Sequence, residues 1–265
     1  MDIELLFGVD GLLIAIILFL MLIIATAIGY QVGIRQASIT KDVDRSQFST
    51  IQGAVLGLLA LLLGFTFAMT ISRFDTRKNL VLEEANAIGT AYLRAQLLPD
   101  PYNTEVSTLL RQYVDVRLDF YNAGIDEKKL RAATEQTGSL HRQLWAQATA
   151  GAKVDSHSIT TGLFIQSLNE VIDLHEKRVI ALGNRVPDSV MLLLFIVAIL
   201  TLGLTGYGSG LTGRRHFFVT TTVAILIAAV IYLIIDLDRP RRGLIKVSQQ
   251  SMIDLKESIH RGYPY

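Results

Sequence analysis

Residues 46–72 read SQFSTIQGAVLGLLALLLGFTFAMTIS, an unbroken run without a charged side chain between Arg45 and Arg73. A helix that crosses the hydrocarbon core of a bilayer needs about 20 mainly apolar residues, and this run supplies them. Three further runs share the property: residues 11–34 between Asp10 and Arg35, 189–213 between Asp188 and Arg214, and 217–235 between His216 and Asp236. Buried helices of a water-soluble core seldom extend so far without a charge, so the pattern predicts four membrane spans. Composition agrees, with 51% hydrophobic and 18% charged residues and a mean hydropathy of +0.40, where a soluble domain carries about 25% charged residues. Asp2 and Glu4 stand where a cleavable signal peptide would carry basic residues, so the first run reads as a retained span.

The polar stretch 73–186 is periodic rather than random. Leu80, Ala87, Ala91 and Leu98 recur at helical spacing, as do Leu109, Leu110, Tyr113, Val114, Val116 and Phe120. Pro99 and Pro101, then Asn122-Ala-Gly124, then residues 151–158 mark three breaks, and Asn103 or Thr104 is placed to cap the helix after the first. Trp145, beside Leu140 and Leu144, reads as bundle core. No proline interrupts 51–98, so the second span is expected to continue as one helix into the polar stretch. Pro187 either opens the third span or kinks a helix arriving from 159–186. The expected organisation is an N-terminal transmembrane pair (1–72), a helical bundle (73–186), a C-terminal transmembrane pair (187–236) and a juxtamembrane tail (237–265). The fold class is an all-α integral membrane protein with four transmembrane helices and a helical bundle between spans 2 and 3.

Several function classes lose support at this stage. A net charge of +1 argues against a nucleic-acid binder, which presents a basic face. The absence of cysteine removes disulfides, thiolate metal sites and cysteine nucleophiles. His141, His157, His175, His216 and His260 show no metal-ligand spacing, and no phosphate-cradling loop or nucleophile elbow is present. Glu83-Glu84 and Asp126-Glu127 are adjacent pairs that point to different helix faces, and they read as solvated surface. Asn169, Glu170, Asp173 and Glu176 fall within two turns and are expected to bond across the bundle. The reading is therefore a non-enzyme with no catalytic residue, no cofactor and no metal.

Span 2 carries the most information. Gly53, Gly57, Leu61 and Phe65 repeat every four residues and stack as one stripe. Small residues in a span permit close helix packing. Alternatively, rings of Leu61 and Phe65 from several subunits would form an apolar constriction, with Thr66, Thr70 and Ser72 in hydrated surroundings beyond it. Spacing alone accommodates both. Arg239, Arg241, Arg242 and Lys246 follow span 4, where cations attract anionic headgroups or line a pore vestibule, with Asp236 and Asp238 as their expected partners. Tyr207 and Tyr232 near span ends suit an interfacial belt, and Tyr263 and Tyr265 close a tail expected to be loose. By total count the cations on the bundle side, Arg73, Arg77, Lys78, Lys177, Arg178, Arg185, Arg239, Arg241, Arg242 and Lys246, outnumber Arg35, Lys41, Arg45, Arg214 and Arg215 of the connecting loops and favour a cytoplasmic bundle. The first span alone argues the reverse, which leaves the topology near even.

Residues 63–73, L-G-F-T-F-A-M-T-I-S-R, resemble the pore-lining second helix of bestrophins. The stretch 236–243, D-L-D-R-P-R-R-G, is similar to the bestrophin Asn-Pro-Phe-Gly segment after the last span. With Glu84-Ala-Asn86 and Arg94 following span 2, the whole chain resembles the bacterial bestrophin-like family. That resemblance implies a homo-oligomeric ion channel, a pentamer with its helical domain and both termini in the cytoplasm of a bacterial inner membrane. It places neck positions on Gly57, Leu61 and Phe65. Gly57 departs from the bulky neck residue of the family, and Leu244, Ile245, Lys246 and Val247 stand where animal bestrophins clasp calcium. The expected partners are further copies of the chain, membrane lipids and permeant inorganic ions, with no nucleic acid. The rival expectation is a non-conducting sensor or scaffold whose bundle binds a partner.

Overall fold

The computed structural model describes residues 10–39, 42–155, 157–214 and 217–262. Asp2, Glu4, Lys41, Arg215, His216, Tyr263 and Tyr265, to which the sequence assigned topological, interfacial or tail roles, lie outside the described residues. Among the described residues the secondary structure is helical throughout: α1 Gly11–Gln36, α2 Asp42–Ala95, α3 Tyr102–Asn122, α4 Glu127–Val154, α5 Ile159–Gly183, α6 Asp188–Leu211, α7 Phe217–Asp238 and α8 Gln250–Arg261. Four helical stretches are long and apolar enough to span a bilayer. They contain the charge-free runs 11–34, 46–72 and 217–235 whole and the run 189–213 as far as Leu211. With its 54 residues, α2 is unbroken and about 80 Å long at 1.5 Å per residue.

The chain divides into two compact units. The first comprises the residues up to Ser72, Arg185–Arg239 and Gly243–Ile245. Its core is built from Leu18 and Leu22 of α1, Leu194, Ala198 and Leu202 of α6, and Ala224, Ile231 and Ile234 of α7. Lipid is as apolar as leucine, so helices in this unit gain by close packing rather than by leaving water. Gly29 and Gly33 on α1 face Gly206 and Gly210 on α6, two pairs spaced by four residues. A Cβ at Gly29 would collide with the Gly203 carbonyl and lie 2.9 Å from the Tyr207 amide nitrogen; one at Gly206 would strike the Thr26 carbonyl. The intimate helix contact thus belongs to α1 and α6. Gly53 and Gly57 of α2, where the sequence pattern also allowed such packing, have no chain atom within 4 Å of a Cβ position.

Pro187 starts a new helix. Its φ of −57° and ψ of 136° make it the N-cap residue of α6, and residues 184–187 are non-helical. The Val186 amide there donates to both carboxylate oxygens of Asp238 at 3.1 Å. Asp236 accepts from the amides of Leu244 at 2.8 Å and Ile245 at 2.9 Å. Gly243 is required by that turn, since a Cβ there would lie 2.8 Å from Asp236 Oδ1.

The second unit comprises Arg73–Asn184, Pro240–Arg242 and the residues from Lys246. Its core joins Ile88 and Ala91 of α2, Leu110, Tyr113 and Val114 of α3, Leu140 and Leu144 of α4, and Phe164, Leu168 and Val171 of α5. Met252, Leu255 and Ile259 of α8 complete it at positions i, i+3 and i+7. The stretch 237–265, expected as a juxtamembrane tail, thus carries a helix, α8, that the sequence reading did not assign. Lys256 of α8 also pairs with Asp115 of α3 at 2.7 Å. Two smaller expectations change. The N-cap of α3 is Pro101, with no side-chain cap, because the helix opens at Tyr102, ahead of Asn103 and Thr104. Trp145 is 43% exposed, since it sits about 100° round α4 from buried Leu144.

Gly29→Ala should destabilise the protein by about 1–3 kcal/mol or more, as overpacking does, and lower the yield of monodisperse protein on size-exclusion chromatography. Gly64→Ala, with no chain atom within 4 Å of its added Cβ, serves as the comparison and should retain the yield.

Candidate functional site

On α2 the four-residue repeat becomes a surface. Leu61 is 53% and Phe65 66% exposed within the single chain, and Gly53 and Gly57 share that open stripe. The opposite face is packed: Leu59 is buried, and Leu62, Leu63, Phe67 and Met69 lie against the core of the membrane unit. The exposed face of α1 carries bulky Leu12, Leu13, Ile16, Ile17, Leu20, Ile24 and Ile28, whereas that of α2 mixes bulky Ile51, Leu58, Leu61 and Phe65 with Gly53, Gly57 and Gly64. Thr66 and Thr70, expected in hydrated surroundings, are buried. Their hydroxyls donate to the carbonyls of Leu62 and Thr66 at 2.8 Å each, so they need no water partner. Ser72 is exposed.

The bundle holds a second constellation, built on Glu84. This carboxylate is fully buried while Glu83 is exposed, so the pair is not one solvated surface. Glu84 Oε1 accepts from Tyr113 Oη at 3.0 Å and from Arg117 Nε at 2.9 Å. Its Oε2 accepts from Arg178 Nη1, and Arg178 Nη2 donates to Gln249 Oε1 at 3.1 Å. The exposures of Arg117 and Arg178 are 1% and 7%. Burial of such ions is costly, and only close pairing with full hydrogen bonding compensates it. His141 and His175 meet edge to face with ring centroids 5.1 Å apart, and His141 is tilted against Tyr113 at 5.1 Å. Burial, reinforced by the Arg117 charge and opposed by Glu84, lowers the His141 pKa from 6.5 to about 4. Burial and the Glu84 charge hold the Tyr113 phenol well above its ordinary range. This arrangement cross-links α2, α3, α5 and the C-terminal segment around neutral imidazoles.

The basic run after α7 is not one surface. Arg239 is buried, Arg241 stacks on the Phe120 ring with its guanidinium carbon 4.4 Å from the centroid, and Arg242 and Lys246 are exposed. Tyr207 donates to Gln36 Oε1 at 2.7 Å. Asn169, Glu170, Asp173 and Glu176, expected to bond across the bundle, lie exposed on the outer side of α5. The inward positions of that helix belong to Phe164, Leu168, Val171, His175 and Arg178.

A family model for the Bestrophin-like domain matches residues 21–252. The chain belongs to the bestrophin-like family. Its fold is similar to that of a bacterial bestrophin homologue from Klebsiella pneumoniae, 22% identical with a TM-score of 0.64, over 96% of this chain and 98% of that one. A point variant of that homologue matches at 21% identity and a TM-score of 0.65, over 96% and 98% of the two chains. A further crystal structure of a membrane protein is 20% identical with a TM-score of 0.66, over 96% and 99%. Comparison with curated proteins gives no match. The all-α membrane fold of this bestrophin-like chain is thereby shared with solved structures.

Sequence reading picked out the α2 stripe but missed the Glu84 cluster. Its signal was weak: an acid beside another acid, and arginines far along the chain. Glu84→Gln removes the charge that holds Arg117 and Arg178 together and should cost about 3–5 kcal/mol, read by denaturant unfolding in detergent. Adding Arg178→Gln should recover part of that loss. The His141 shift has a definite sign. Its folded pKa lies below the unfolded value, so the unfolded chain binds more protons between pH 6.5 and about 4. Stability is therefore full above that window and falls as pH drops through it. Melting temperatures measured from pH 7 to 4.5 should decline, and His141→Asn should flatten the decline.

Proposed function

We propose that this protein is an oligomeric ion channel of the bestrophin type, with α2 lining the pore and Leu61 and Phe65 forming an apolar neck. The observation that supports this is the α2 stripe. The exposed face of α1 is bulky, whereas α2 exposes Gly53, Gly57 and Gly64 among Ile51, Leu58, Leu61 and Phe65. Around a shared axis, Leu61 and Phe65 from each copy form stacked rings that conduct only when wetted. Gly57 sits one turn away and leaves that level wide. The assembly is a homo-oligomer, the pentamer of the family resemblance, in a bacterial inner membrane with the bundle in the cytoplasm. Conduction is passive and involves no catalytic step. Of Arg239, Arg241, Arg242 and Lys246, only exposed Arg242 and Lys246 are placed to serve a vestibule or the headgroup layer, since Arg239 is buried and Arg241 stacks on Phe120.

Purified protein should run as a symmetric oligomer larger than a dimer in mass photometry. Leu61→Ala with Phe65→Ala should raise ion flux into liposomes severalfold over the unsubstituted protein at matched oligomer content. Leu62→Ala and Phe67→Ala, on the packed face, should lower oligomer yield through cavities costing a few kcal/mol without raising flux. Monomers only, or equal flux from stripe and packed-face variants, would favour a non-conducting scaffold whose bundle binds a partner.

A further inference from the structure

Within the membrane unit, α1, α6 and α7 enclose a pocket of about 190 Å³. Residues 23–31 of α1, the end of α6 and the first turn of α7 form it, so it lies at the end of the unit where α6 passes to α7. Ala27, Gln31 and Phe217 of its lining are exposed. Ile24 and Ile28 flank it on α1 at 57% and 58% exposure. The pocket therefore opens on the apolar outer surface of the unit, within reach of bilayer lipid. Gly206 and Ala27 in its walls leave the space that larger side chains would take.

The lining residues among those described carry no charge, so an ion entering from hydrocarbon would meet no counter-charge there. Hydroxyls set the chemistry instead. Thr26 Oγ1 donates to the Leu22 carbonyl at 2.8 Å, and Ser209 Oγ to that of Thr205 at 3.0 Å. A hydroxyl that has donated its proton still accepts through its oxygen lone pairs. Thr221 lines the same pocket, and its Oγ1 is buried with no hydrogen-bond partner, a state that costs free energy until a partner arrives. The complement of such a wall is a group that both donates and accepts, which is the property of a hydroxyl. Ile23, Ala27 and Phe217 supply apolar wall, which gains by contact with an apolar body rather than water. The space exceeds the roughly 150 Å³ of an engineered apolar cavity that admits benzene, so such a body fits.

We infer that this pocket binds a neutral amphiphile with a free hydroxyl head and an apolar chain, the chemistry of a monoacylglycerol, taken up from the bilayer. The site stands whether or not the chain conducts. The test uses the full-length protein in phosphatidylcholine nanodiscs, whose lipid carries no hydroxyl. A diazirine analogue of 1-octanol should label residues 23–31 and 217–221 saturably, as read by peptide mass spectrometry. Monoolein should displace the probe, and methyl oleate, which lacks the hydroxyl, should need a concentration about fivefold higher or more. T221V should raise the half-saturating probe concentration by a similar factor. A27F, at an exposed position, should fill the pocket and abolish labelling while the yield of monodisperse protein is retained. T222V serves as the comparison: Thr222 is exposed outside the pocket, with its hydroxyl spent on the Phe218 carbonyl at 2.9 Å, and labelling should not change. Absence of saturable labelling at these residues, failure of monoolein to displace the probe, equal displacement by methyl oleate, or undiminished labelling in T221V and A27F would overturn the assignment.

Discussion

Hydrocarbon offers no hydrogen-bond partner, so each backbone amide within it must be satisfied by the chain itself. Much of this molecule follows from that constraint. Charge-free runs become helices, because a helix satisfies its amides locally. Hydroxyl groups follow the same rule: Thr26, Thr66, Thr70, Thr201 and Thr205 each donate to the carbonyl four residues earlier. Association between α1 and α6 then rests on backbone proximity. Glycine at positions 29, 33, 206 and 210 supplies it, since each lacks the Cβ that would collide with the facing helix.

Beyond Ser72 the physics changes. Leucine, isoleucine and aromatic side chains leave water to form the bundle core, and polar groups face solvent unless they are paired. Glu84 is the exception that organises the interior. Its two oxygens hold Tyr113, Arg117 and Arg178, and Arg178 passes the link to Gln249. The cluster fixes which helices meet at that level, a directional demand that apolar packing alone would not make. The C-terminal residues are drawn in by the same contact and by the apolar face of α8.

The parts legible in sequence are those with local causes. Four charge-free runs, the Pro99–Pro101 break, Gly124 and the turn before Ser158 are each decided within a few residues, and helix ends fall beside them. The buried acid had no local mark. Its partners stand 33 and 94 positions away, and Glu83 beside it points outward. His141 and His175 looked scattered because 34 residues of chain and a turn separate rings that pack at 5.1 Å. Trp145 misled through its neighbours: Leu144 is buried, but one helical step turns the next side chain outward. The three α8 anchors, Met252, Leu255 and Ile259, had a readable spacing; the helix is only 12 residues long and followed a segment rich in charge.

Glycine gives the α2 stripe its meaning. In a helix it forgoes side-chain packing and costs about 0.5–1 kcal/mol relative to alanine in water. On α1 and α6 the close approach of two backbones accounts for it. On the open stripe of α2 no neighbour within the chain does, and lipid gains nothing from the missing side chain. On the proposed axis the same residues have a use: Gly53 and Gly57 keep the passage wide at their levels, and Leu61 and Phe65 narrow it in the next two turns. The packed face needs no such grading, and Leu59, Leu62 and Thr66 fill it without glycine. A helix can carry both demands because its two faces are independent, one set by contact within the chain and the other, in the proposed assembly, by contact with further copies of it.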